Sequence, residues 1–480
     1  MATALTKHFI AGEWCNGAGP PMTDLDPSTG KPLADFPVGT REEVDAAVTA
    51  ARRAFDAGWR DATPTVRRKL LLKLAELVAA SAQELGRLGT QDMGMPWGFT
   101  MGEAMFAAEY LEYYAGWADK IHGETIPLSA PSTLDYTLRE PVGVAAAIVP
   151  WNSPLSLALW KMAPALTAGN AVVVKPSELA PLAVLRLMEL VAEAGFPPGV
   201  VNCVTGTGAE TGAALVEHPG VDVVAFTGGT ATGRKVAETA GRMLKRVSLE
   251  LGGKSANVVF ADADLDSAAS QACVACFINT GQQCIAGSRL LVERSIHDEF
   301  VARVVSFARG FTVGDPLEPT TQMGPLISET ALERVIGYVD GARGVAEVAV
   351  GGERLGGDLA DGYFVPPTVV TGVRNDMPIA REEIFGPVLS VIPFTDEAEA
   401  IAIANDTPFG LAGGLWTNDL NRAHRVARAI EAGTVWVNAW LAVNPQTPFG
   451  GYKASGIGRE GGKDALEVYT QTKNVYVQLR

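Results

Sequence analysis

One cysteine of the sequence, Cys284, stands among residues that suit nucleophilic chemistry. It lies in Asn279–Ser288, read as NTGQQCIAGS, directly after the apolar run Ala268–Phe277, whose pattern predicts a buried helix. Gly281 and two glutamines favour a turn in which the backbone closely approaches a ligand. A thiol there is within reach of a small electrophile, although an isolated cysteine is more often a small buried hydrophobe. The nucleophile hypothesis therefore depends on a base, an oxyanion donor and a nucleotide site elsewhere in the chain.

The other cysteines do not suggest a disulfide framework or a metal site. Cys273 and Cys276 form a C-x-x-C pair, but no second pair or histidine cluster completes a zinc site. Their spacing of three on an apolar helix favours core packing over metal binding, so no metal is expected. A reducing cytoplasm fits best with so few cysteines: Cys15, Cys203, Cys273, Cys276 and Cys284.

Composition narrows the class of protein. The 480 residues are 47% hydrophobic and 19% charged, which is typical of a globular enzyme of several domains. The formal net charge of −15 argues against a nucleic-acid partner. No apolar run is long enough to span a membrane, and the first residues lack the features of a secretory signal.

The first part of the chain is predicted to place helices before any large sheet. Residues 7–40 read as a hairpin-like entry, and Thr40 with Glu43 forms a capping box at the start of a helix. Two further amphipathic helices are predicted at Val66–Leu85 and Met101–Trp117.

From Gly143 the pattern alternates between strands and helices, which predicts a parallel, doubly wound sheet. In such sheets ligands bind where strands end and helices begin. The predicted strands are Gly143–Val149, Ala171–Val174, Val200–Val204 and Val221–Phe226, and the predicted helices are Pro154–Leu166 and Leu182–Ala194.

A second alternating section runs from residue 254 to residue 450. Two outlying segments, Ser132–Arg139 and Tyr469–Gln478, read as edge strands that pair with each other or with another subunit.

Glycine-rich turns supply a candidate nucleotide site. Phe226–Gly233, FTGGTATG, follows a predicted strand, so free N–H groups and a helix start are available for a pyrophosphate. A plain turn explains the same residues equally well. Gly206–Gly212 and Gly252–Ser255 depart from the dinucleotide fingerprint and the P-loop, respectively, and are weak signals alone. Lys175–Glu178, KPSE, suits the two hydroxyls of an adenosine ribose.

Taken together, ordered motifs across most of the chain resemble those of the NAD(P)-dependent aldehyde dehydrogenase superfamily, of the non-acylating, hydrolytic type. They are VPWNSPL (Val149–Leu155), KPSE, FTGGTATG, LELGGKS (Leu249–Ser255), GQQCIAGSR (Gly281–Arg289), EEIFGPV (Glu382–Val388) and PFGGYKASGIGRE (Pro448–Glu460).

The resemblance implies an α/β fold of three parts. These are a Rossmann-like NAD-binding domain (1–120 and 141–253), an α/β catalytic domain (254–453) and a small β bridging domain (121–140 and 454–480). Members of the family are usually dimers or tetramers in which the bridging strand extends a neighbour's sheet, so a homo-oligomer is expected.

Roles in the reaction are also implied by the resemblance. Cys284 matches the nucleophile and Asn152 the oxyanion donor. Glu250 matches the general base that activates water to hydrolyse the thioester. Lys161 and Glu460 match an ion pair behind the site, which a structural salt bridge explains almost as well.

The cofactor expected from the resemblance is a nicotinamide dinucleotide. Glu178 accepts from a ribose 2′-OH but repels a 2′-phosphate, which predicts NAD over NADP. Glu383 matches the acid on the nicotinamide ribose, and Phe385 is expected near the ring. The full expected set is Val149, Pro150, Trp151, Lys175, Ser177, Glu178, Gly208, Gly212, Phe226, Thr227, Gly228, Gly229, Leu251, Gly252, Glu383 and Phe385.

Residues that flank the motifs predict the substrate pocket. The set lacks Arg and Lys to anchor a semialdehyde's carboxylate and lacks an acid for an aminoaldehyde, so an uncharged aromatic, terpenoid or medium-chain aliphatic aldehyde is predicted. A semialdehyde or betaine-type aminoaldehyde remains an alternative, since aromatic rings bind quaternary ammonium. The pocket set is Phe106, Tyr110, Ser153, Leu157, Trp160, Phe277, Ile278, Ile285, Val443 and Phe449.

Two rival functions are less well supported by the sequence. A CoA-acylating dehydrogenase would usually lack the general base at position 250. A non-catalytic structural relative would have lost the nucleophile or the base. The sequence has Cys284, Asn152 and Glu250 together.

Overall fold

The computed structural model describes residues 6–480. Its strands, in chain order, are β1 His8–Ile10, β2 Glu13–Cys15, β3 Pro21–Asp26, β4 Lys31–Pro37, β5 Thr125–Ile126, β6 Thr133–Pro141, β7 Val144–Ile148, β8 Ala171–Lys175, β9 Val201–Cys203, β10 Val223–Thr227, β11 Arg246–Glu250, β12 Ala256–Val259, β13 Arg289–Glu293, β14 Glu347–Val350, β15 Thr368–Thr371, β16 Val388–Phe394, β17 Phe409–Gly410, β18 Ala412–Trp416, β19 Thr434–Val437, β20 Tyr452–Lys453, β21 Gly456–Ile457 and β22 Thr470–Gln478.

Helices lie before, between and after these strands. They are α1 Arg41–Ala54, α2 Pro64–Ala80, α3 Ala82–Met93, α4 Trp97–Ala115, α5 Pro154–Ala168, α6 Leu182–Ala194, α7 Ala213–Glu217, α8 Thr230–Arg242, α9 Leu265–Phe277, α10 His297–Arg309, α11 Glu329–Ala342, α12 Pro378–Arg381, α13 Glu397–Asn405, α14 Leu420–Ala429 and α15 Ala465–Tyr469.

The first large sheet has the order β2-β1-β9-β8-β7-β10-β11-β21. Its five central strands are parallel, whereas β1, β2 and β21 pair antiparallel at the two edges. The second large sheet has the order β14-β15-β16-β13-β12-β18-β19, and only β14 is antiparallel. The α/β class with a doubly wound parallel sheet and a second α/β unit is therefore confirmed.

The two outlying segments pair with each other. Strand β22 lies antiparallel to β6 along its whole length, from Thr470 opposite Pro141 to Gln478 opposite Thr133, and β5 completes the sheet. Within residues 6–480 no strand pairs with the outer edge of β22 or with that of β19. The expected bridging segment 454–480 is not uniform, because Gly456–Ile457 joins the first large sheet beside Glu250.

The N-terminal helices begin as the sequence predicts but divide differently. The Thr40 hydroxyl accepts from the N–H of Glu42 at 3.2 Å, and the Glu43 carboxylate accepts from the N–H of Thr40 at 2.8 Å, so the capping box is present. The prediction of a single helix over Val66–Leu85 is wrong. This segment belongs to two helices, α2 and α3, because the backbone leaves helical geometry at Ser81.

The helix that follows Asn152 is embedded in the core. Every residue of α5 except Leu157 is buried, and the helix is capped at its C-terminus by Gly169, which adopts φ 95°. A helix held on all sides gives the residues at its start and along its length fixed positions.

Among the helices of the described residues, none is both long and apolar enough to cross a membrane.

Candidate active site

The loop that contains Cys284 begins where α9 ends. Asp264 caps the start of this helix by accepting from the N–H of Ser267 at 3.1 Å. After Phe277 the chain turns through Asn279 and Thr280, whose φ values of 49° and 56° lie in the left-handed region. Backbone of this kind costs free energy and persists only where its surroundings hold it. Cys284 follows this buried turn and is itself partly exposed.

Asn152 is attached to this loop by hydrogen bonds in both directions. Its side-chain amide donates to the carbonyl oxygen of Gln282 at 2.9 Å, and the Asn279 amide donates to the carbonyl oxygen of Asn152 at 2.9 Å. Gln282 is itself fully buried and accepts from the N–H of Ile327 at 2.9 Å. Because an amide nitrogen carries two hydrogens, one remains available to a group in the cavity.

Cys284, the expected nucleophile, lines one cavity of about 210 Å³ together with the expected oxyanion donor and the expected base. Most of the expected nicotinamide-side residues line it as well. The lining comprises Pro150, Trp151, Asn152, Leu157, Thr227, Gly228, Gly229, Glu250, Leu251, Gly252, Cys284, Arg334, Glu383 and Phe385.

The Cys284 thiol is protonated at neutral pH in this structure. Burial raises its pKa to about 12, and the carboxylates of Glu383 and Glu250 add to the increase. The N–H groups of Cys284 and Ile285 act in the opposite direction because they stabilise the thiolate. A nucleophilic thiolate at this position therefore requires a proton acceptor or an added positive charge.

Glu250 is suited to accept and release protons. It is 2% exposed, and neither carboxylate oxygen has a hydrogen-bond partner in the described part of the chain. Burial raises its pKa well above the usual value, Glu460 raises it further, and Lys161 and Arg459 oppose the shift. A carboxyl group whose pKa is raised towards working pH is what general base catalysis requires.

A buried ion pair lies behind Glu250. The Lys161 ammonium contacts the Glu460 carboxylate at 2.5 Å and donates to the Thr227 hydroxyl at 2.6 Å. The backbone of Glu460 exchanges hydrogen bonds with that of Phe449, which ties the pair to a predicted pocket residue. The structure thus brings Lys161 and Glu460 together, and Thr227 contacts Lys161 as well as lining the cavity.

A second cavity, of about 510 Å³, lies beside the KPSE turn. Glu178 contacts the Lys175 ammonium at 3.1 Å and accepts from the N–H of Gly208 at 3.4 Å. Burial acts to raise the pKa of Glu178, but the charge of Lys175 and the hydrogen bonds from Lys175 and from the N–H groups of Glu178 and Gly208 together outweigh it, so the pKa is lowered and the carboxylate stays ionised. The lining is Ile148, Glu178, Thr207, Gly208, Ala209, Gly212, Ala213, Val216, Glu217, Phe226, Thr232, Lys235, Val236 and Thr239.

Three expected cofactor residues, Val149, Lys175 and Ser177, are buried and line neither cavity. Lys175 acts on the second cavity through its ion pair with Glu178, and the Ser177 hydroxyl accepts from the N–H of Leu179 at 3.2 Å.

Glu383 and Phe385 are held by contacts across the cavity. The Glu383 carboxylate accepts from the N–H of Gly253 at 3.1 Å. A Cβ added to Gly252 would come within 2.2 Å of that carboxylate, so any side chain here would displace the carboxylate from this position. Phe385 adopts φ 58°, and its ring lies edge-on to that of Trp151 with centroids 5.5 Å apart.

The predicted substrate residues form an aromatic cluster around Trp160. Its ring stacks on Tyr110 at 5.3 Å, meets Phe449 edge-on at 5.3 Å and lies 6.3 Å from Phe106. Ile285 and Val443 pack in the same core, and Ile278 is half-buried where the turn begins. Leu157 lines the first cavity directly.

Phe277 is the exception among the predicted pocket residues. It is fully buried and packs edge-on against Phe311 at 5.6 Å in a separate core between α9 and α10. The structure therefore does not bring Phe277 to the pocket.

Sequence reasoning missed four polar residues of the site. Gln282 and Asn279 hold Asn152, and Arg334 from α11 lines the first cavity. The Glu103 carboxylate of α4 accepts from the hydroxyl of Ser153 at 2.5 Å, so an acid does lie next to a predicted pocket residue. The glutamine and asparagine in the NTGQQC segment carried a visible signal, whereas nothing near Glu103 or Arg334 in sequence connects them to the motifs.

Comparisons with known proteins identify the family. The sequence model of the aldehyde dehydrogenase family matches residues 14–475. An aldehyde dehydrogenase of Aspergillus niger is 47% identical over 98% of this chain and 95% of its own, and mouse retinal dehydrogenase 2 is 46% identical over 99% and 92%.

Solved structures give the same result. A Bacillus cereus aldehyde dehydrogenase in complex with NAD+ is 44% identical, with a TM-score of 0.97 over 99% of this chain and 97% of that one. A Staphylococcus aureus betaine aldehyde dehydrogenase in complex with NAD+ is 40% identical, with a TM-score of 0.97 over 98% and 94%. The chain belongs to the aldehyde dehydrogenase family.

Proposed function

We propose that this protein oxidises an uncharged, apolar aldehyde to its carboxylate with NAD+, through a thioester on Cys284. The observation that carries the proposal is that Cys284, Asn152 and Glu250 line one cavity. Membership of the aldehyde dehydrogenase family supports the reaction type.

Residues of the two cavities fit NAD+. The ionised Glu178 can accept from a ribose 2′-OH and would repel a 2′-phosphate, which supports NAD over NADP. The N-terminus of α8, with Gly228 and Gly229 before it, suits the pyrophosphate, and Glu383 suits the nicotinamide ribose. Two structural neighbours are NAD+ complexes. When bound, NAD+ supplies the hydride acceptor.

Acylation uses donors that this chain already positions. The Cys284 thiol loses its proton to solvent, which the positive charge of the nicotinamide ring would favour when NAD+ is bound, and the thiolate attacks the aldehyde carbon. The free amide hydrogen of Asn152 and the N–H of Cys284 then donate to the oxygen that becomes anionic. Such donors act without rearrangement because Asn152 is fixed to Gln282. When the carbonyl re-forms, the aldehyde hydrogen leaves as hydride to the acceptor, and the acyl group stays on Cys284 as a thioester.

Deacylation assigns Glu250 the role of general base. It takes a proton from water, the hydroxide attacks the thioester carbon, and the sulfur of Cys284 departs as the thiolate. The carboxylic acid product and Glu250 then each release a proton to solvent. In the Lys161–Glu460 pair, the charge of Glu460 raises the pKa of Glu250 and that of Lys161 lowers it. The pair therefore helps to set the pH at which the base works.

The substrate class is supported by the aromatic cluster around Trp160. Arg334 is the one basic residue among the described residues that line the first cavity. Its charge acts on Glu383, so it belongs to the cofactor side of the cavity. A carboxylate-bearing aldehyde would therefore lack an anchor beside Trp160. A second candidate, a quaternary ammonium aldehyde, is favoured by Glu103 behind Ser153 together with these rings.

An NADH-formation assay over hexanal, benzaldehyde, betaine aldehyde and succinate semialdehyde tests the substrate class. Highest kcat/KM for hexanal or benzaldehyde supports the proposal. Highest kcat/KM for betaine aldehyde would favour the second candidate, and highest kcat/KM for succinate semialdehyde would refute both.

We propose a cytoplasmic enzyme with an NAD-binding domain (1–120 and 141–253), a catalytic domain (254–453) and a bridging domain (121–140 and 454–480).

We also propose that the protein is a homodimer or homotetramer. The support for this assembly is that the outer edges of β22 and β19 are unpaired within residues 6–480. Leu134, Leu138 and Tyr476, on the sheet that contains β22, are between 40% and 52% exposed. Light scattering coupled to size-exclusion chromatography tests this, and a monomer at micromolar concentration would contradict it.

A further inference from the structure

Glu103 reaches from α4 to the first turn of α5. Its carboxylate accepts from the Ser153 hydroxyl at 2.5 Å and from the N–H of Ser156 at 3.1 Å, and the Ser156 hydroxyl donates to the backbone oxygen of Glu103 at 3.4 Å. Burial raises the pKa of Glu103, and its bonds to Ser153 and Ser156 oppose the shift. The carboxylate is part of neither the proposed reaction nor the cofactor site.

These contacts replace a cap that α5 does not make for itself. Ser153 precedes Pro154 at the helix start, but its side chain accepts no hydrogen bond from the first turn. The N–H of Ser156 would otherwise lack an intrahelical partner, and a carboxylate at a helix N-terminus is electrostatically favourable. Because a helix cap normally comes from the same chain segment, a cap from another helix also fixes the distance between α4 and α5.

The helix that supplies the cap is itself anchored. The N–H of Trp97 donates to the carbonyl oxygen of Pro316 at 2.9 Å, and the hydroxyls of Thr90 and Thr100 share a buried hydrogen bond of 2.8 Å. Glu103 therefore extends from a fixed support.

Asn152 lies between two sets of contacts. On one side Gln282 and Asn279 attach it to the loop of Cys284, and on the other its neighbour Ser153 is attached to Glu103. The oxyanion position requires Asn152 to be accurate to a fraction of an ångström, since a displacement of about 1 Å can cost about 100-fold in rate.

The geometry points to Glu103 as a positioning residue for acylation: its carboxylate clamps the Ser153–Ser156 turn and thereby directs the amide of Asn152 at the reacting carbonyl. This inference rests on the proposed oxyanion role of Asn152.

Acylation can be measured without cofactor by the burst of nitrophenolate when p-nitrophenyl acetate acylates Cys284. We expect Glu103→Ala to lower the burst rate about 10- to 100-fold. Glu103→Gln keeps an oxygen acceptor for both donors and should recover most of the rate. Glu109→Ala, on an exposed residue of the same helix, is the matched control and should match the wild type. Ser153→Ala, which removes one of the donors, should give an intermediate burst rate even if Glu103→Ala folds poorly.

A general structural role makes different predictions. It would lower the thermal midpoint and the affinity for NAD+, measured by quenching of protein fluorescence, together with the burst rate. The inference expects both to stay close to wild type in Glu103→Gln and Ser153→Ala. It is overturned if Glu103→Ala acylates at the wild-type rate, or if Glu103→Gln is as slow as Glu103→Ala.

Asn152→Ala separates this inference from the proposed function. If that variant acylates normally, the oxyanion assignment fails and the positioning role fails with it. If Asn152→Ala is slow while Glu103→Ala is normal, only the positioning role is lost.

Discussion

The side-chain amide of Asn152 donates a 2.9 Å hydrogen bond to the carbonyl oxygen of Gln282, two residues before Cys284. The expected oxyanion donor and the expected nucleophile therefore belong to one hydrogen-bonded unit rather than to two independently mobile loops. Donors fixed before the reaction begins stabilise a developing charge without reorganisation, which is the largest contribution of many active sites.

Removing the donor should lower turnover strongly. We expect Asn152→Ala to reduce kcat for aldehyde oxidation about 100- to 1000-fold, because one oxyanion donor is lost. The affinity for NAD+ should change little. Steady-state NADH formation measures the effect, with the exposed Asn421→Ala as the control. A reduction of less than fivefold would show that Asn152 does not stabilise the oxyanion.

The raised pKa of Cys284 predicts slow alkylation of the free enzyme. Burial, then Glu383 and Glu250, raise this pKa, so the thiol is protonated at neutral pH and iodoacetamide reacts faster as pH increases. Glu383→Gln removes one negative charge, which lowers the pKa. One pKa unit corresponds to about tenfold more thiolate below the pKa. Peptide mapping at pH 8 should show faster labelling of Cys284 in this variant, and slower labelling would reverse the assigned cause.

Glu178 should control the choice between NAD and NADP. Glu178→Gln removes the charge that repels a 2′-phosphate, and repulsion at about 4 Å is worth roughly 4 kcal/mol at an intermediate dielectric constant. We expect the ratio of kcat/KM for NAD to that for NADP to fall at least about tenfold. The exposed Glu193→Gln on α6 is the control. A wild-type enzyme that prefers NADP would contradict the expectation outright.

The buried Lys161–Glu460 pair should be costly to break from one side. Lys161→Met leaves Glu460 and Glu250 without their compensating charge, which typically costs about 3–5 kcal/mol. Lys161→Met combined with Glu460→Leu removes both charges and should recover much of the loss. Thermal midpoints of the single and double variants measure this. A double variant as unstable as the two singles added together would mean that the charges do not compensate each other.

The fold class and most site segments were accessible from sequence because four of the seven motifs stand at the carboxyl end of a parallel strand, β7, β8, β10 or β11. Strand β10 ends at Thr227 and α8 begins at Thr230, as the FTGGTATG segment predicts. A chain that alternates strands and helices has few topologies available, and its ligand sites occur at the same edge of the sheet.

Other features depend on backbone angles or on contacts distant in sequence. The break at Ser81 was missed because the apolar period continues from one helix into the next. Phe277 and Ile278 are adjacent, but neighbouring side chains at a helix end point in different directions, so Phe277 faces Phe311 instead. Glu103 lies 50 residues before Ser153, and no local pattern reports such a contact.

Mass spectrometry of the intact Glu250→Gln protein, mixed with hexanal and NAD+, tests the central claim most directly. We expect one equivalent of NADH in a burst, followed by a stable adduct of the hexanoyl group on Cys284, because the thioester forms and lacks the base that would hydrolyse it. Absence of the adduct despite the burst, or its location on any residue other than Cys284, would contradict the thioester mechanism.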